Sequence, residues 1–248
     1  MSSPYLPRRL PLADEFWFLT HRPYGPGTLL ADDILGVGLA GAVIGELALA
    51  GYVWLQEGRV MPAERPQVEQ YRPPLADGGR HSMDGSWRSA PIPSRAVDPL
   101  HEVVMGEITA RGALYPVQDW IAFLAGDADR RVAERLAVAG HVVSAGKGLL
   151  RRRQSWEPVD ASTASSPAVT LRYHARAPLA TREGVDSQTA LLAGLALATK
   201  LVRDIDMDET IELERALLGM VESLPDSMLS MLSAVQHAVT GLTRQVRR

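Results

Sequence analysis

Residues 28–56, TLLADDILGVGLAGAVIGELALAGYVWLQ, gather more apolar and small side chains than any other part of this 248-residue chain. Such a stretch has to leave water, and it can do so in three ways. A membrane span needs ~20 apolar residues, and 34–55 is long enough. Against a span, Glu46 inside it costs ~2.5–3.5 kcal/mol on insertion scales, and the glycines at 36, 38, 41, 45 and 51 add little apolar transfer energy to offset that. A dinucleotide-binding turn is spelled by Gly36-Val-Gly38-Leu-Ala-Gly41, with Glu57 about 20 residues further on. That turn requires a buried strand before it, and Asp32 and Asp33 would place two carboxylates in the strand and beside the phosphates. A buried helix has no such conflict: its small residues let neighbouring backbones approach, and Gly51 can take the left-handed conformation that ends it. The expectation is a helix from about Asp32 to Ala50 at the centre of a mainly α, single-domain helical bundle with small β-hairpins, carrying no nicotinamide or flavin cofactor.

The rest of the chain reads as helices around that centre. Leu12, Phe16 and Leu19 share one face of a helix over 10–20, with Asp14 and Glu15 in its opening turn. After Gly51, strands at 52–55 and 59–61 flank Glu57-Gly58 as a hairpin. Residues 62–99 turn rich in Pro, Gly, Ser and Arg, a long loop or insertion in which Tyr71 and Trp87 could touch a membrane or partner. Helices are expected at 100–111, 116–125 and 129–139. Gly140 stops the last, and strands at 141–143 and 149–151 follow as a second hairpin. Residues 162–167 read as a polar break, followed by helices over 169–179, 186–203, 208–221 and 225–246. The last carries Met228, Leu232, Val235, Val239, Leu242 and Val246 as a core stripe.

Composition removes several function classes. The chain has no cysteine, so disulfides and thiolate metal sites are excluded, and a formal charge of −3 makes nucleic acid an unexpected partner. The amino terminus has no apolar run behind its charges, which points to a cytoplasmic protein, and the arginine and alanine bias suggests a GC-rich bacterial genome. His101-Glu102-Val-Val-Met105 begins like a zinc-protease motif but lacks the second histidine, so no metal site is nominated. No nucleophile with a base and orienter can be assembled, and Asp32-Asp33, Asp206 and Asp208 read as acids at helix starts. Arg151, Arg152 and Arg153 behind the second hairpin resemble a DNA-binding wing, which gives a winged-helix rival. A dinucleotide-binding oxidoreductase acting through Gly36, Gly38 and Gly41 is the other alternative.

Gly38-Leu39-x-Gly41, then Glu46-Leu47-Ala48-Leu49-x-Gly51 and a strand, resembles the Golgi phosphoprotein 3 family. Glu15-Phe-Trp-Phe-Leu, Asp119-Trp120-Ile121, Leu136 with Gly140, and Leu191-Leu192 follow in the family's order, so the resemblance runs from Leu10 to the end. It implies a helical bundle with edge hairpins and a non-enzymatic, peripheral-membrane adaptor role. The family's eukaryotic members bind phosphatidylinositol 4-phosphate and hold glycosyltransferase tails. Motif spacing puts the family's headgroup positions at Ala31, Ala40, Gly126 and Asp129, none of which supplies a cation. The resemblance thus implies an anionic lipid or phosphoinositide headgroup as partner, with proteins as a second class. Arg130, Arg131, Arg151, Arg152 and Arg153 are the candidate lipid-binding residues, each worth about 1 kcal/mol near an anionic surface.

Overall fold

The computed structural model describes residues 9–25, 27–63, 98–111, 115–146, 155–177, 185–206 and 210–245. Its elements in chain order are α1 (Leu12–Thr20), α2 (Asp32–Leu49), β1 (Val53–Gln56), β2 (Arg59–Pro62), α3 (Pro99–Arg111), α4 (Val117–Ala125) and α5 (Ala128–Val138). Then follow β3 (Val142–Ser144), β4 (Trp156–Pro158), α6 (Ala161–Arg176), α7 (Ser187–Ala198), α8 (Val202–Ile205), α9 (Thr210–Val221) and α10 (Asp226–Gln245). The fold is mainly α, with two antiparallel two-stranded hairpins, β1-β2 and β3-β4, among the described residues.

The apolar run is a central helix, as its composition requires. α2 is buried from Leu35 to Leu47 and packs against α1, α4, α5, α7 and α10. Its glycines are spacers. A Cβ on Gly36 would lie 2.3 Å from the Ala125 carbonyl oxygen, and one on Gly38 would lie 2.6 Å from two ring carbons of Phe16. The G-x-G-x-x-G letters therefore sit mid-helix, where they admit the end of α4 and the face of α1, and among the described residues no strand precedes them. Gly51 ends the helix at φ 73°, with Tyr52 N–H donating to the Leu47 carbonyl at 2.9 Å. Gly140 repeats the device after α5 at φ 77°, with His141 N–H on the Leu136 carbonyl. Each glycine reverses the chain into a hairpin. No helix among the described residues is long and apolar enough to cross a membrane.

α1 is more than an amphipathic surface helix, because every residue from Leu12 to Thr20 is buried, Asp14 and Glu15 included. Arg9 donates to both Glu15 oxygens at 2.9 and 3.0 Å and to Asp186 at 2.6 Å, which ties the start of α1 to the start of α7.

Four expectations are corrected. The polar stretch 162–167 lies inside α6. Asp160 accepts from the backbone N–H of Ser162 and Thr163 and so nucleates the helix, and with Leu171 fully buried α6 runs on through Pro167 despite the bond its missing N–H forgoes and the crowding of its ring against the Thr163 carbonyl. The strand that pairs with Val142–Ser144 is Trp156–Pro158, later than 149–151, with Val142 opposite Pro158. The helix expected over 186–203 breaks into α7 and α8, since Lys200 takes a left-handed φ of 62° and Leu201 N–H turns back to the Ala196 carbonyl. Asp206 closes α8 instead of opening a helix, and its carboxylate lies 3.7 Å from Arg176, while Asp208 falls outside the described residues.

Candidate functional site

The ends of four helices meet at one place on the molecule. α2 and α5 begin there, α4 ends there, and the described part of α10 ends there. Together with Trp156 of β4 they enclose an open groove of about 680 Å3, within the ~300–1,000 Å3 range of ligand-binding cavities. Its apolar lining comes from Val37, Ala122, Ala125, Trp156, Ala238 and Leu242. Its charged lining is Asp32, Asp33, Asp129 and Arg130. The tight approach of α4 to Gly36 shapes the floor, because a side chain at 36 would push the Ala125 carbonyl away.

Each charge has a local reason to be where it is. Asp32 and Asp33 occupy the first turn of α2 and Asp129 the first turn of α5, where a carboxylate meets the positive end of the helix dipole. Asp129 Oδ1 also accepts from Trp17 Nε1 at 3.0 Å and lies 3.8 Å from His21 Nε2. The His21 ring stacks on Trp17 at 3.6 Å and bonds the Trp17 carbonyl through Nδ1; burial holds this imidazole down at about 4, against that hydrogen bond, which acts to raise it. Arg130 donates to Glu134 at 2.9 Å and reaches Asp127 at 3.2 Å, and Arg131 donates to Asp127 at 2.7 Å. Both candidate arginines of α5 are thus already paired with carboxylates of their own helix or its N-cap. Arg151, Arg152 and Arg153 lie outside the described residues, as do Tyr71 and Trp87.

Of the four positions that the family's headgroup pocket would occupy, Gly126 and Asp129 line the groove, and Ala31 is the residue capping α2 next to Asp32. Ala40 is different: it is fully buried in the centre of α2 and cannot meet a ligand.

A second cluster lies inside the bundle. Arg135 of α5 donates to Asp14 Oδ1 at 2.9 and 2.7 Å, to Glu46 Oε1 at 2.6 Å and to Asp98 Oδ2 at 3.0 Å. Glu46, the acid that stood alone in the apolar run, also accepts from the Ala13 N–H at 2.9 Å and lies 2.5 Å from His101 Nε2. Four helices are joined through these side chains. Burial pushes the Asp14 carboxyl up to about 7, against the charge and hydrogen bonds of Arg135 and with the repulsion of Glu46 and Asp98. Burial acts to raise Glu46 as well, but the hydrogen bonds and charges of His101 and Arg135 outweigh it and hold that carboxyl down at about 2. Ligand atoms of Glu46, Asp98 and His101 converge within 4.8 Å, as a metal site would require. The guanidinium of Arg135 already bonds both of those carboxylates, so the cation built into this site is an arginine. His101, the first residue of the broken zinc motif, serves in this cluster.

Sequence reasoning missed Trp156, Leu242 and the other groove residues of β4 and α10, which carry no motif. A charged residue in an apolar run was the one available signal for the buried cluster, and Glu46 gave it. The chain has no significant match among curated proteins. The sequence profile of one family, described as Golgi phosphoprotein 3 (GPP34), matches residues 12–242, nearly its whole length. The chain therefore belongs to the Golgi phosphoprotein 3 family.

Proposed function

We propose that this chain is a non-enzymatic adaptor that associates peripherally with anionic membrane surfaces and uses the four-helix groove to hold a partner. We take residues 1–248 as one domain, with 62–99 as an insertion within it. The observation that supports the reading is the groove itself: it is open, mixes apolar with charged lining, and includes Gly126 and Asp129, the later pair of positions assigned to the family's ligand pocket. Selective recognition of a phosphoinositide is not part of the proposal, since three carboxylates face the groove and its arginine is engaged by Asp127 and Glu134. Attraction to lipid then falls to arginines acting as a diffuse charge, chiefly Arg151, Arg152 and Arg153, with Arg130 and Arg131 weakened by their acidic neighbours.

Vesicle sedimentation tests this. The protein should pellet with phosphatidylglycerol vesicles at low salt, release as salt rises, and show no preference for phosphatidylinositol 4-phosphate at equal surface charge. At about 1 kcal/mol per arginine, reversing all three of Arg151, Arg152 and Arg153 to Glu should lower partitioning by at least about a hundredfold. Arg130→Glu/Arg131→Glu should lower it less. Protein that stays in the supernatant at low salt, or variants that all pellet like wild type, would overturn the membrane part of the reading.

A further inference from the structure

Three acids and one arginine meet where the start of α3 joins the bundle, and their charges do not balance. Arg135 faces Asp14 from α1, Glu46 from α2 and Asp98 at the head of α3, so with every carboxyl ionised two negative charges are left over. His101, in the first turn of α3, is the other basic group there; its Nε2 lies 2.5 Å from Glu46 Oε1, and its ring meets Tyr52 edge-on at 5.6 Å. Neighbouring charges are turned elsewhere. Glu15 bonds Arg9 and Gln188, Asp186 before α7 bonds Arg9 and Thr189, and Arg172 and Arg176 of α6 line a cleft with Asp206 and Glu212. Glu134 of α5 bonds Arg130, Glu107 pairs with Arg111, and Glu102 of α3 and Arg59 of β2 are exposed.

The start of α3 depends on this cluster more than the other helices do. α1 is buried from end to end and α2 from Leu35 to Leu47, whereas α3 buries only Leu100, Val104 and Ile108 of its 13 residues. Its far end is held separately, by Arg111 over the Phe123 ring at 4.2 Å. Lifting the first two turns would carry Asp98 and His101 away and open the cluster to water. Burial holds the Asp14 carboxyl up at about 7, against the charge and hydrogen bonds of Arg135 and helped by the repulsion of Glu46 and Asp98. With the turns lifted, burial is relieved and the repulsion of Asp98 is gone, so Asp14 holds its proton less tightly. The coupling is reciprocal: a proton on Asp14 favours the docked helix, and its loss favours release.

We infer that this cluster is a proton-operated clamp on the start of α3: the first two turns stay docked while Asp14 carries a proton and lift away locally when Asp14 ionises, with the rest of the bundle folded. The clamp is independent of the adaptor reading, since none of its residues lines the groove between α2, α4, α5 and α10.

Hydrogen exchange on the full chain, followed by mass spectrometry at pH 6 and pH 8.5 and corrected for the intrinsic rate, tests it. Each unit by which docking raises the Asp14 carboxyl is worth a factor of about ten in the opening equilibrium. Amides 102–106 should therefore open at least about tenfold more at pH 8.5 than at pH 6, while those of 35–47 in α2 should not change. Asp14→Asn, which keeps an acceptor for Arg135 but cannot ionise, should reduce the change to less than about threefold. Asp98→Asn can still cap the Leu100 N–H, which Asp98 Oδ1 accepts at 2.9 Å, and it removes the charge that repels an ionised Asp14, so it should shrink the change as well. Opening of α3 that is equal at the two pH values, or that occurs only together with opening of α2, would overturn the inference. So would a change of wild-type size in folded Asp14→Asn. Should that variant not fold, a change of wild-type size in Asp98→Asn decides against the clamp in its place.

Discussion

Replacing Arg135 with methionine would keep most of its volume and remove the cation that three carboxylates share. The guanidinium makes its bonds to Asp14, Glu46 and Asp98 with only 10% of its side chain exposed, while Asp14 and Glu46 are 4% and 9% exposed, so solvent can do little to replace it. Breaking a buried ion pair from one side costs about 3–5 kcal/mol, since the partners stay buried without a counter-charge. For a chain of this size that is roughly 6–20 °C in Tm. The loss should depend on pH in a definite direction. Without Arg135 the charge that lowers Asp14 and Glu46 is gone, so Asp14 rises further above its unfolded value, Glu46 loses part of what holds it below its own, and the folded state of the variant binds more protons than the folded wild type. Stability of the variant should therefore fall as pH rises, leaving it much nearer wild type at pH 5 than at pH 8. Urea unfolding followed by the fluorescence of the buried Trp17 and Trp120 would read both effects, with Arg130→Met as the exposed control, expected to cost less than about 1 kcal/mol. A loss below 1 kcal/mol for Arg135→Met, or a loss equal at pH 5 and pH 8, would refute the reasoning.

Asp14→Asn should change the slope of stability against pH. With its carboxyl raised to about 7, Asp14 contributes most below its unfolded value of 3.8, and the contribution is lost as pH rises to about 7. His21, held down at about 4, acts oppositely: its contribution is present above its unfolded value of 6.5 and lost as pH falls toward 4. The two nearly offset in wild type, so the variant should gain stability more steeply from pH 4 to 6.5 in urea titrations, and parallel slopes would rule this out. Gly38→Val should cost about 1–3 kcal/mol by overpacking, because its Cβ would lie 2.6 Å from the Phe16 ring and 2.9 Å from Thr199 Cγ2. Gly241→Ala, in open space, should instead gain up to about 1 kcal/mol from helix propensity, and calorimetric midpoints that fail to separate the two would discard the spacer role.

The central helix and its ending could be read from the chain because the physics there is local. An apolar run has to be buried, and a glycine after its last turn relieves the left-handed strain that any other residue would meet at that position. The same logic gave the first hairpin, the Gly140 stop and the order of most helices. It failed at 162–167, where polar composition suggested a break but one capping aspartate and the burial of Leu171 favour a continuous helix. The charged cluster could not be read at all from spacing: Arg135 lies 121 residues from Asp14, 89 from Glu46 and 37 from Asp98. The groove is similar, with Asp32, Ala125, Asp129 and Leu242 brought together only when the ends of α2, α4, α5 and α10 converge. Residue type and periodicity report how a segment meets water and its own next turn. Which distant charge lies within hydrogen-bond reach depends on how whole helices pack, and that was settled by the spacer glycines and buried side chains of the entire bundle acting together.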